Sequence, residues 1–155
     1  MAQGAEPGAS ALQAISNAMV RLHKDQFGRG PTNAHAYFAG PDAVMCVLED
    51  ALLPAERKMV ELGNAGRVRD SRVAFQAATE DEFVSAVEEI LGRKVHSFAS
   101  GVDPSTSVVF ENFYLHPRNG DGAASYRRAS IPTPAASAGS SRHVQPPTAA
   151  AGAGP

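Results

Sequence analysis

The chain holds 31 Leu, Ile, Val and Phe residues, and all but Ile131 and Val144 fall between Leu12 and Leu115. That asymmetry constrains the fold more than any single motif. Only a segment dense in large apolar side chains buries enough surface to offset the entropy of ordering its backbone. One folded domain is therefore expected over residues 10–116, with a flexible N-terminus over 1–9 and a disordered Ala, Pro, Gly and Ser tail over 117–155. A chain of 155 residues has room for one such core without metals or disulfides.

Within the domain the period of the apolar residues sets the elements. Leu12, Ile15, Met19 and Leu22 recur at steps of three and four, so a helix is predicted from Ser10 to Phe27, stopped by Gly28 or Gly30. Thr32 to Ala39 and Ala43 to Glu49 read as two strands around the Gly40-Pro41-Asp42 turn. In the second strand Val44, Cys46 and Leu48 alternate with Met45 and Val47, which predicts cover on both faces. Pro54 suits the first turn of a helix running to Gly63, with Met59, Val60 and Leu62 facing inward. A third helix is predicted from Asn64 to Ala78, with Val68 and Phe75 on its inner side. A fourth follows from a Thr79/Glu82 capping box to Gly92, with Phe83, Val84, Val87, Ile90 and Leu91 as its apolar stripe. Lys94 to Val102 and Ser107 to Leu115 make a second hairpin around Asp103-Pro104-Ser105. Strands grouped in hairpins, with helices grouped between them, define an α+β fold in the order α-ββ-ααα-ββ. Its mostly antiparallel sheet carries the helices on one face.

Charge and cysteine usage remove several classes of function. Ten basic and 15 acidic residues through Leu115 give −5, and the remaining four basic and one acidic give +3. An acidic domain is a poor match for phosphate neutralisation, so no nucleic-acid partner is expected. One cysteine, Cys46, forms no internal disulfide or cysteine-rich metal site. Its flanking Met45 and Val47 make it a small buried hydrophobe rather than a nucleophile. No apolar run reaches the about 18 residues of a membrane span, and MAQGAEPGAS shows neither a basic start nor an apolar segment. Direct membrane insertion is not expected, and a cytoplasmic setting is.

Few residue patterns point to chemistry. Gly28-Arg29-Gly30-Pro31-Thr32 could cradle an anion, but Pro31 lacks a donor N–H and a strand follows where a phosphate loop requires a helix. A helix stop with a rigid turn is the plainer reading. Arg67, Arg69 and Arg72, with Asp70 among them, form the densest basic cluster. On a helix Arg69 and Arg72 would share a face able to grip a carboxylate or phosphate. Against that stands an ordinary solvated face. His23, His35, His96 and His116 show no metal-ligand spacing and His143 lies alone, although neighbouring strands could pair His35 with His96. Glu88 and Glu89 are adjacent on a helix and face apart, and no serine sits in a Gly-x-Ser-x-Gly turn. No catalytic constellation emerges, and no cofactor or metal is expected. In the tail, Arg127-Arg128-Ala129-Ser130 carries the two upstream arginines that basophilic kinases read, so Ser130 is a candidate phosphosite.

The succession of Phe27-Gly28-Arg29-Gly30-Pro31-Thr32, Leu52-Leu53-Pro54-Ala55-Glu56, the Arg72 segment, Ile90-Leu91-Gly92-Arg93-Lys94-Val95 and Val108-Val109-Phe110 resembles the bacterial MpsC family. The resemblance covers about Ala14 to Leu115. Gly28, Gly30, Pro31, Pro54, Glu56, Arg72 and Gly92 match its pattern, with Arg29 inside the first motif. Leu53 departs from it, because the family usually places Thr there as a helix cap. The family name implies a sodium-translocating, membrane-potential-generating system whose membrane components resemble ion-coupled inorganic-carbon uptake machinery, with this small protein as an accessory.

Two main readings follow, with an uncharacterised enzyme as a third. The first is a non-enzymatic accessory or regulatory protein, held peripherally at the inner face of the membrane by a partner such as an integral transport complex. It would use its helical face or the Arg67 to Arg72 cluster. The second is a small anion-binding regulator using Arg29 and Arg72 on bicarbonate or phosphate. Edge strands are natural pairing surfaces, so a homodimer also belongs among the expected partners.

Overall fold

The computed structural model describes residues 7–118. Ser130 and the rest of the tail lie outside the described residues. The elements run α1 (Pro7–Phe27), β1 (Asn33–Phe38), β2 (Ala43–Glu49), α2 (Pro54–Glu61), α3 (Ala65–Leu91), β3 (Val95–Asp103) and β4 (Val108–Leu115). The fold is α+β, with a four-stranded, wholly antiparallel sheet in the order β1-β2-β4-β3. The two hairpins thus join through their second strands.

Two boundaries differ from the sequence expectation. Helix α1 starts at Pro7, three residues before Ser10. More consequentially, the predicted third and fourth helices are one, α3, of 27 residues. Thr79 does not cap a new helix. Its Oγ1 donates to the Phe75 carbonyl one turn back at 2.8 Å, inside a continuing helix. Nothing between Gly66 and Gly92 is glycine or proline, so no residue interrupts the ladder.

Helix α1 packs on β1 and β2, α3 packs on β3 and α1, and α2 rests on α3. Ile15, Met19, Val44, Leu48, Phe83, Val87, Phe113 and Leu115 are all but solvent-free between helices and sheet. Phe83 stacks on Phe98 with ring centroids 5.7 Å apart, and Phe98 lies 4.9 Å from Phe113, extending the core to the β3 edge. No residue of α2 is fully buried, and Leu62 is 68% exposed rather than inward-facing. Phe75 is likewise half exposed, its ring edge-on to Phe27 at 5.4 Å.

The sheet itself is covered on one face only. Val44, Cys46 and Leu48 of β2 are buried under the helices, whereas Met45 and Val47 point away and remain partly accessible. Their expected cover is absent among the described residues, because the helices all pack on the other side.

Candidate functional site

The motif residues converge on two loops, one held by Arg29 and Arg72 and the other by Arg93. Gly28 ends α1 with its N–H on the Lys24 carbonyl at 2.8 Å, in the left-handed backbone a C-cap requires. Two residues on, a side chain on Gly30 would sit 3.2 Å from the Val20 carbonyl, so the turn presses directly on α1. Pro31 is buried, and Thr32 donates to the Glu49 carbonyl at 3.1 Å to open the β1/β2 ladder. That geometry delivers Arg29 to the loop after β2. Its guanidinium donates to the Asp50 and Leu52 carbonyls at 2.8 and 3.1 Å and pairs with the Asp50 carboxylate at 2.5 Å. Arg57 of α2 holds the other oxygen of that carboxylate. Asp50 sits at φ 55, a left-handed conformation that asparagine and aspartate tolerate better than most residues. The Arg29 hydrogen bond, helped by the charges of Arg29 and Arg57, holds its carboxyl below the usual carboxylate range.

Arg72 secures the same loop from inside. It is 1% exposed, its Nε and Nη2 donate to the two Glu56 oxygens at 2.8 and 2.5 Å, and Nη2 also donates to the Ala51 carbonyl at 2.8 Å. Its guanidinium lies 3.9 Å from the Phe27 ring centroid, a cation–π contact that favours a charge removed from water. Glu56 in turn accepts from the Leu53 N–H at 2.7 Å. Leu53 has no side-chain oxygen to return the cap, so Glu56 supplies the only side-chain half of this helix start, just behind Pro54.

Gly92 closes α3 in the left-handed conformation, at φ 63. Next to it Arg93 donates to the Pro41 and His116 carbonyls at 2.8 and 2.6 Å and pairs with Asp42 at 2.6 Å. Arg29, Arg72 and Arg93 thus follow one scheme: one carboxylate, one or two main-chain carbonyls, and a loop fixed between them.

Arg67, Arg69 and Arg72 do not form one patch. The buried line of α3 runs Val68, Arg72, Gln76, Phe83 and Val87, so Arg72 points inward while Arg67 and Arg69 stay exposed. His35 and His96 sit on opposite edge strands of the sheet, and His96 lies instead edge-on to His116 at 4.8 Å. Among the described residues no group of three His, Cys, Asp or Glu side chains is arranged to hold a metal ion. Glu88 accepts from Lys94 Nζ at 2.7 Å and the Val95 N–H at 2.8 Å, in that order the main causes of its lowered pKa.

A second polar group had no counterpart among the sequence candidates. Glu111 of β4 is fully buried opposite Cys46. Its Oε1 lies 3.0 Å from Nε2 of His23 on α1 and accepts from Gln76 of α3 at 3.1 Å. Burial, and secondarily the Glu111 charge, pushes the Cys46 thiol up to about 12, so it stays a neutral, inert thiol. His23 and Gln76 sit in the buried phase of their helices, and Glu111 interrupts the apolar alternation Val109, Phe113, Leu115. Polar residues at apolar positions on three elements were the signal available.

Fold and motifs together define a small α+β module whose charged motif residues brace its own loops. The model of the MpsC family, described as a Na+-translocating membrane potential-generating system, matches residues 9–116, and the chain belongs to that family. No curated protein and no solved structure matches. No helix among the described residues is long and apolar enough to cross a membrane.

Proposed function

We propose that the chain is a non-enzymatic accessory or regulatory component of such a membrane system, acting by contact with an integral transport complex from the cytoplasmic side. The observation that carries this reading is the threefold use of motif arginines as loop braces. Arg29, Arg72 and Arg93 and their carboxylates are engaged with one another and with carbonyls, which makes the motif a means of holding a shape. A held shape with accessible helices is what a docking module needs. Arg69 is exposed on α3 one turn before Val73, which is 52% exposed, and together with the exposed Arg67 it supplies basic and apolar groups for a partner.

The test is a crosslinked pull-down of the full chain from its own host, with membrane and soluble fractions analysed separately. Enrichment of an integral transporter by the wild type, and its loss with Arg67→Glu/Arg69→Glu, is the expected result. A folded bait that recovers no membrane protein overturns the reading. Inorganic carbon as the transported species rests on the resemblance alone and is tested by bicarbonate uptake in a strain lacking the chain.

The anion-binding alternative draws on one feature. Nη1 of Arg72 is buried without a hydrogen-bond partner among the described residues, next to the loop that Arg29 holds. Bicarbonate or phosphate binding there raises the melting temperature progressively with anion concentration. No shift with either anion removes this alternative.

A further inference from the structure

The face of the sheet that the helices leave open has an unusual chemistry. Across its middle, His35 stands opposite Val47, Val47 opposite Phe110, and Phe110 opposite Gly101. One row further along, Tyr37, Met45, Asn112 and Ala99 succeed one another in the same way. Neither row holds a charged side chain. Tyr37, Tyr114 and Phe110 are 50%, 52% and 36% exposed, respectively. Beside them the small side chains of Ala43, Ser97 and Ala99 leave a shallow hollow of about 220 Å³, bordered by Asn112 and Tyr114. An aromatic surface with a methionine and little charge has the composition of an interface core rather than of solvated surface.

We propose that this face docks onto the same face of a second copy of the chain, sheet against sheet, about a two-fold axis running across the strands. Three features favour a copy over an unrelated partner. The described residues carry 11 basic and 14 acidic side chains, so two copies meet with the same net negative charge. The two central rows let them meet without opposing like charges, with Glu49 and Asp103 set at one end of the face. The face is also self-complementary. The hollow lies toward one end of β2 and β4 and Phe110 toward the other, so a two-fold across the strands brings each Phe110 over the partner's hollow. Finally, the size is adequate. Four strands about 4.8 Å apart and about seven residues long present about 450 Å² of plane per copy. Side-chain relief brings a pair of such faces near the about 1,200 Å² lower bound for specific interfaces, so the dimer exchanges with monomer at micromolar concentration.

Sedimentation velocity of the purified full chain from about 1 to about 200 µM decides the matter. The expected result is a rise from the 16.2 kDa monomer to twice that mass. Phe110→Asp weakens association at least tenfold while leaving the circular dichroism spectrum unchanged. Ala99→Arg, which puts a charge at the hollow without touching Phe110, gives the same loss and covers the case in which Phe110→Asp misfolds. A wild-type chain that stays monomeric throughout overturns the proposal, whether another partner or the chain's own tail covers the face. A dimer that survives in either folded variant overturns it too.

Discussion

On the helix-facing side of the sheet, Val44, Leu48, Phe113 and Leu115 surround a fully buried carboxylate, Glu111. On the opposite side Tyr37, Phe110 and Tyr114 stand in solvent, and the central rows hold no charge. Hydrophobicity alone would not have sorted the two faces this way. The inner face accommodates a polar group because α1 and α3 each deliver a partner to it, His23 and Gln76. The outer face meets no helix among the described residues. What the contrast teaches is that the helices, not the strands, decide which face is the core. The buried network also fixes the setting of α1 and α3 on β4, since a displacement of either helix would strand a polar atom in an apolar interior.

The sharpest way to break this contrast is to remove its centre. Glu111→Ala leaves His23 and Gln76 buried without their shared acceptor and is expected to cost about 3–5 kcal/mol of stability in urea unfolding. Replacing all three residues by leucine recovers most of that loss, because the cost lies in stranding partners rather than in losing a bond. A single Glu111→Ala variant within about 1 kcal/mol of wild type would show that the network does not hold the helices in place.

Two phenylalanines three positions apart on β4 sharpen it further. Phe113 is 1% exposed and packs on Phe98, whereas Phe110 faces out. Phe113→Ala is expected to cost about 3–5 kcal/mol and Phe110→Ala about 0.5 kcal/mol or less at about 1 µM protein, where the proposed dimer is dissociated. Equal losses would mean that the outer face is covered in solution even at that dilution.

Much of this architecture was legible in the residues. The two hairpins stood out because glycine, proline and aspartate mark their turns, and α1 because its apolar residues keep a helical period. Helix α3 reads as two in the sequence for a definite reason. Arg72 and Gln76 occupy its buried phase, so the apolar stripe breaks where Thr79 and Glu82 imitate a fresh start. The uninterrupted run without glycine or proline was the stronger signal. Arg29, Glu56 and Arg72 stand out as motif positions, but their meeting around the Asp50 loop depends on contacts 16 to 21 residues apart, which no local pattern encodes. The pairing of β2 with β4, and with it the two different faces, likewise comes from long-range contacts. Glu111 went unnoticed because a lone acidic residue in a strand normally signals the solvent side.

Acid and alkali probe the surface braces and the interior separately. Hydrogen bonds from Arg29, Lys94 and Ser105 lower the carboxyls of Asp50, Glu88 and Asp103, respectively. A lowered carboxyl stabilises the fold above its ordinary value, so that stability is lost as the pH falls below about 4. Cys46 behaves oppositely. Its folded value of about 12 lies above the ordinary 9.0, so its contribution is intact below pH 9 and is lost as the pH rises toward 12. The melting temperature should therefore fall below about pH 4 and again above about pH 9. Asp50→Asn blunts the acid limb, and Cys46→Ala blunts only the alkaline one. An acid limb unchanged in Asp50→Asn would show that the Arg29 brace contributes little to stability.

The smallest effect is the most direct comparison, because the same chemical bond occurs on both faces. Gln76 donates its amide to Glu111 at 3.1 Å in the interior, and Asn33 donates its amide to Glu49 at 2.6 Å at the exposed end of the outer face. Judged by length, the outer bond is the stronger. Judged by solvent, it is the weaker, since water replaces either partner at once when the bond breaks, while Glu111 has only His23 to turn to. Gln76→Ala is accordingly expected to cost about 1–3 kcal/mol and Asn33→Ala less than about 0.5 kcal/mol, read from paired urea unfolding curves. The reverse ranking would mean that the interior around Glu111 is open to water, and the difference between the faces would then lie in packing alone.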